Sequence, residues 1–142
     1  MKWLLDTNTL SEATKPNPAK EVLDWLDAHE ADSAICAISI GEMVAGIERM
    51  PESKRRRSLT QALKFLREDY AGKIIDFTEG AAVEWGRLVV EGKKRGRKMA
   101  VLDSQIEATA IHFGLTVVTR NAKDFFYPVF NPWESWHVVR LI

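Results

Sequence analysis

What most constrains this chain is an alternation between two kinds of segment. Short apolar runs too brief to be helices are each followed by a stretch whose apolar residues recur at helical spacing. Strands are expected over residues 2–5, at "SAICAIS" (33–39), at "KIIDF" (73–77) and at "LTVVTR" (115–120), with a last one at 137–141. Continuous apolar runs of this length suit strands buried on both faces, the condition of a parallel sheet. Between them, a short helix is expected after Asp6 and another over 19–30, where Val22, Leu23, Trp25 and Leu26 share a face. Ile40, Met43, Val44 and Ile47 make a third, broken at Pro51, and Leu59, Leu63 and Leu66 a fourth over about 52–69. Thr78 caps a fifth that carries Trp85 and Leu88, "GKKRGRK" (92–98) reads as a loop, and "MAVLDSQIEATAIHFG" as a sixth helix stopped by Gly114. This pattern implies one α/β domain over 1–142, with helices on both faces of a mostly parallel sheet.

Charge narrows function only locally. Twenty basic and 20 acidic residues cancel, so no overall field favours nucleic acid or membrane. The single Cys36 lies in an apolar stretch, has no disulfide partner and reads as an inert buried thiol. Only three apolar residues separate Lys2 from Asp6, too few for a signal-peptide core, and no run is long enough to span a bilayer. A soluble, cytoplasmic protein without membrane partners is expected.

The acids carry the chemistry. Asp6 ends the first strand, Glu42 follows the second, and Asp103 sits between Leu102 and Ile106. Asn121 and Asp124 follow the strand "LTVVTR". Carboxyl ends of parallel strands face one edge, so these groups can converge. Two carboxylates about 4 Å apart repel by roughly 4 kcal/mol at an effective dielectric near 20. They must share a proton or hold a cation, and oxygen donors without His or Cys favour a hard ion, Mg²⁺ or Mn²⁺. The competing reading makes Asp6 a helix cap and Glu42 a solvated charge.

"LLDTNTLSE", "AISIGEMVAGIER", "AVLDSQIEATAIHFGLTVVTRNAKDF" and "FNPW", in this order, together resemble the PIN-domain family, more narrowly the VapC toxins of its FitB-like branch. The resemblance implies a PIN-like three-layer α/β/α sandwich and a Mg²⁺-dependent ribonuclease, usually a homodimer, neutralised by an antitoxin and assembling with it on operator DNA. It places Asp6, Glu42 and Asp103 on the family's metal-coordinating acids. The fourth acidic position falls on Asn121, which adds no charge, with Asp124 three residues on as its substitute. Thr7 and Asn8 fall on groups that orient Asp6, and Thr119 on a hydroxyl near the site. Glu107, one helical turn after Asp103, stands where the family has a small residue, which argues against a ligand role.

Other features are weighed on position. Lys93, Lys94, Arg95, Arg97 and Lys98 precede the Asp103 helix and either bind RNA phosphates or are simply solvated. "KRRR" at 54–57 reads as a solvated helix face, Trp25 and Trp85 as packing residues, and "NPW" as closing the chain end. His29, His112 and His137 have no zinc spacing. Two rival functions remain open: a PIN-like RNA- or protein-binding module without activity, and a haloacid-dehalogenase-type phosphatase. The phosphatase reading lacks its second acid, because Asn8 stands there.

Overall fold

The computed structural model describes residues 1–134, and the strand expected at 137–141, with Trp136 and His137, lies outside them. Strands β1 (Trp3–Leu5), β2 (Ser33–Cys36), β3 (Ile74–Ile75) and β4 (Thr116–Val118) form one sheet in the order β3-β2-β1-β4. Every pairing is parallel, with Leu4 opposite Ala34 on one side and Val117 on the other. The helices are α1 (Thr7–Ser11), α2 (Lys20–His29), α3 (Ala37–Glu48), α4 (Lys54–Asp69), α5 (Glu79–Lys94) and α6 (Val101–Phe113).

Side-chain alternation along the strands splits the core into two layers. Leu4, Ala34, Cys36 and Val117 point to one face and bury Ile106 and Ala110 of α6 together with Phe125. Leu5, Ile35 and Val118 point to the other, against Leu10 of α1, Trp25 of α2, Met43 of α3 and Leu66 of α4. Helix α5 packs against α6. The result is helix, sheet, helix. Each fully buried Leu or Ile contributes about 1.5–3 kcal/mol relative to its exposed state, which is why three- and four-residue strands hold together.

Local signals set the ends. The Ser53 hydroxyl accepts from Arg56 N at 3.1 Å and the Thr78 hydroxyl from Ala81 N at 3.2 Å, capping α4 and α5. Gly114 ends α6 at φ 68°, a left-handed position. Phe130 continues the sheet beyond β4: Phe130 N donates to Val117 O at 2.9 Å, and Thr119 N to Phe130 O at 3.0 Å. The "FNPW" segment thus closes the described chain, with Pro132 buried behind it.

Three expectations need correction. The strand expected over 33–39 stops at Cys36, and Ala37–Ser39 already belong to α3. The third strand is reduced to Ile74–Ile75. The loop expected over 92–98 begins only after Lys94, because α5 runs through Gly92, Lys93 and Lys94. Among the described residues no helix is long and apolar enough to cross a membrane.

Candidate functional site

The strand order reverses at β1: the chain moves outward through β2 and β3, then returns to place β4 on the other flank. Such a switch point opens a crevice at the carboxyl ends of the two strands that part there. Asp6 follows β1 and Thr119 follows β4, so both stand at its mouth.

Asp6 is 5% exposed and does two things at once. It caps α1, its Oδ1 accepting from Thr7 N at 2.8 Å. Its Oδ2 accepts from Asn8 Nδ2 at 3.0 Å and from the buried Thr119 hydroxyl at 2.8 Å. Asn8 is held in turn by Arg120 N, which donates to its Oδ1 at 3.2 Å. The Thr7 hydroxyl donates to Glu42 Oε1 at 2.9 Å, tying the start of α1 to α3. The cap reading and the functional reading of Asp6 are therefore compatible: the fold fixes the carboxylate and leaves Oδ1 a lone pair.

The electrostatics are those of crowded acids. Burial raises the Asp6 pKa, with Asp124 adding to the rise and the bonds from Thr119, Thr7 and Asn8 opposing it. Glu42 is raised by burial and by Asp6, against the Thr7 bond. Asp103, in the first turn of α6, is pushed up to about 6, by burial first and then by Asp6, Asp124, Glu42 and Glu107. Burial and the neighbouring acids thus penalise the ionised forms of Asp6, Glu42 and Asp103. Among the described residues no three His, Cys, Asp or Glu side chains form a ready-made metal cage. A hard divalent ion that keeps several waters and takes only one or two carboxylates suits such an open oxygen-donor set.

The remaining candidates divide. Asn121 is exposed and begins a short 3₁₀ turn (Ala122–Asp124), its side chain capping nothing, whereas half-buried Asp124 is felt by both Asp6 and Asp103. Lys93, Lys94, Arg95 and Lys98 are exposed. Arg97 is not free for phosphate: its Nη2 donates to Lys123 O at 2.8 Å and to Phe125 O. In the 54–57 run, Arg55 bonds Thr14 O at 2.9 Å and Arg56 pairs with Glu48 at 3.1 Å, so half of that face is tied to the protein. Cys36 is fully buried and burial raises its pKa, as an inert thiol requires.

Beside Glu42, an apolar groove of about 580 Å³ opens between α1, α3 and α4, lined by Leu10, Met43, Ile47, Leu59 and Leu63. The sequence reading missed it, although the apolar positions of α3 and α4 that line it were legible.

The family model for the PIN domain matches residues 3–127. The chain belongs to the PIN-domain family. This PIN domain is 34% identical to toxin FitB of Neisseria gonorrhoeae, over 93% of this chain and 99% of that protein. It is 32% identical to the VapC ribonuclease Y4jK of Sinorhizobium fredii, over 92% of this chain and 97% of that one. Among solved structures it matches one of FitAB bound to an IR36 DNA fragment, with TM-score 0.86 and 34% identity, covering 93% of this chain and 96% of that one. The PIN domain is thus of the FitB/VapC type.

Proposed function

We propose that this PIN domain is a divalent-metal-dependent endoribonuclease, the toxin of a toxin–antitoxin pair. One observation carries the reading: Asp6, Glu42, Asp103 and Asp124 are drawn to the edge where β1 and β4 part, at an electrostatic cost visible in the raised pKa values of the first three. A cation at that edge turns the cost into affinity. Asp6 and Asp103 would hold Mg²⁺ or Mn²⁺, with Glu42 beside them as a further ligand or as the proton acceptor. When bound, the ion supplies a Lewis acid for the scissile phosphate and brings water toward hydroxide near neutral pH. Thr119, Asn8 and Thr7 hold the acids in place, as ligating carboxylates require. Glu42 bonds Thr7 through Oε1 and keeps Oε2 to accept the proton of the attacking water. Exposed Lys93, Lys94 and Lys98 take RNA phosphates, which anchors the substrate without reading its sequence, whereas Arg95 is already paired with Glu91 at 3.0 Å.

The names toxin FitB and VapC ribonuclease, and the FitAB assembly on DNA, support the same reading. By that likeness the chain acts in the cytoplasm as a homodimer and joins its antitoxin on operator DNA. The apolar groove beside Glu42 suits an antitoxin segment whose far end covers the acids.

Purified protein with Mn²⁺ should cut structured RNA at few sites, and EDTA, Asp6→Asn and Asp103→Asn should each stop it. Cleavage indifferent to EDTA or to Asp6→Asn would overturn the assignment.

A further inference from the structure

Glu107 is a buried acid with no part in the chemistry above. It lies four residues after Asp103 on the same face of α6, and it is 2% exposed. A buried carboxylate needs donors, and this one has them. Phe126 N donates to Oε1 at 2.8 Å and to Oε2 at 3.0 Å, and Tyr127 N to Oε2 at 3.2 Å. On the same short segment, Arg97 donates to the carbonyls of Lys123 and Phe125, the two residues that flank Asp124. Its guanidinium also stands 5.8 Å from the Phe126 ring centre. Arg97 is fixed in its turn, because its own N–H donates to Gly92 O at 2.7 Å.

We infer that Glu107 and Arg97 are positioning residues, a carboxylate and a guanidinium that clamp the backbone on both sides of Asp124 and hold it at the acidic edge. The inference rests on the nuclease reading of that edge. The segment needs an external hold. Between β4 and Phe130 its own backbone bonds are Asp124 N to Asn121 O at 3.0 Å and Phe125 N to Ala122 O at 3.2 Å, with buried Phe125 as its apolar anchor. A single 3₁₀ turn is a weak frame. Glu107 takes the free N–H groups and Arg97 the free carbonyls, so the pair satisfies both polarities of the loop. Because a carboxyl group must sit within about half an ångström of its place to function, the holding residues matter as much as the held one.

Backbone amide exchange in the metal-free protein tests the clamp directly. In Glu107→Ala the amides of Phe126 and Tyr127 should exchange at least a hundredfold faster, while those of β1 and β4 are unchanged. Glu107→Gln, which keeps one acceptor oxygen and the volume, should fall between, and provides the test if the Ala variant does not fold. Arg97→Lys keeps the charge without the planar fork and should loosen the segment like Arg97→Ala. Mn²⁺ titration then tests the connection to Asp124. Glu107→Ala should weaken the Mn²⁺ midpoint about tenfold in the wild type and less than twofold in Asp124→Asn. Unchanged protection of the Phe126 and Tyr127 amides would overturn the clamp. So would an equal loss of Mn²⁺ affinity in both backgrounds, which means a general effect on the fold. A wild type blind to Mn²⁺ would sink the nuclease reading alone, since the exchange measurement still decides the clamp.

Discussion

Replacing Asp103 by Asn should stabilise the metal-free protein, although it removes a group central to the proposed activity. The folded state raises the Asp103 pKa from 3.8 to about 6. At about 1.36 kcal/mol per unit, that is at most roughly 3 kcal/mol of penalty on the ionised form. Asp103 is partly exposed, and solvent screening cuts this to about 1–2 kcal/mol. For a chain of 142 residues such a gain corresponds to a Tm rise of about 3–8 °C. The sign follows from linkage. A carboxyl group with a raised folded pKa binds more protons in the folded than in the unfolded state, so the wild type loses stability as pH climbs from about 4 to about 6. Asn does not titrate. Thermal unfolding in EDTA should therefore show the variant ahead by the full margin above pH 7, with the gap closing toward pH 4. Burial presses hardest on the ionised Asp103, and Asp6, Asp124, Glu42 and Glu107 add to it. A variant less stable than wild type at pH 7.5 in EDTA, or a gap that ignores pH, would refute the view that burial and the neighbouring acids penalise the ionised Asp103.

Mn²⁺ at a hundred times its dissociation constant should stabilise the wild type by about 2.7 kcal/mol, and Asp6→Asn should remove that shift in a melting experiment. Neutralising Lys93, Lys94 and Lys98 together should weaken RNA binding and flatten its dependence on log salt by about two to three units of slope; an unchanged slope would assign them to solvent. Gly114→Ala should cost about 1 kcal/mol in urea unfolding, because the φ of 68° at the end of α6 suits a residue without Cβ.

The sheet was legible because its central strands are largely buried on both faces, so Trp3–Leu5 and Val117–Val118 run apolar up to Asp6 and Thr119. That Asp6 and the residues after "LTVVTR" would meet was legible for the same reason, since both follow strands that must be parallel, whereas Thr119 was placed there only by the family resemblance. Boundaries were harder where small residues speak for neither state. Ala37, Ile38 and Ser39 continue an apolar run that periodicity alone assigns to a strand, yet they form the first turn of α3. Gly92 and the lysines after it look like a loop. The helix nevertheless runs through them, and Gly92 stands inside it because the chain returns close by: a Cβ there would stand 2.9 Å from the carbonyl oxygen of Arg97. Glu107 marks the limit of sequence reasoning at the site. Helical spacing put it on the face of Asp103, but its partners are the backbone amides of residues 126 and 127, and a backbone amide has no signature in a sequence.

The reversal of strand order at β1 also sets a timetable. Asp6 is made well before the hydroxyl that steadies it, which belongs to Thr119, 113 positions later. Chains are synthesised from the amino end at about 5–20 residues per second, and a domain folds as a unit. Contacts this distant in sequence form late. On the ribosome, β1, β2 and α1 to α4 have all been made while Asp6 still lacks its brace. Asp124 arrives later still. A nascent or truncated chain that lacks α6 and β4 therefore has neither Asp103 nor the brace on Asp6, and the acidic edge is complete only when nearly all of the described chain has emerged.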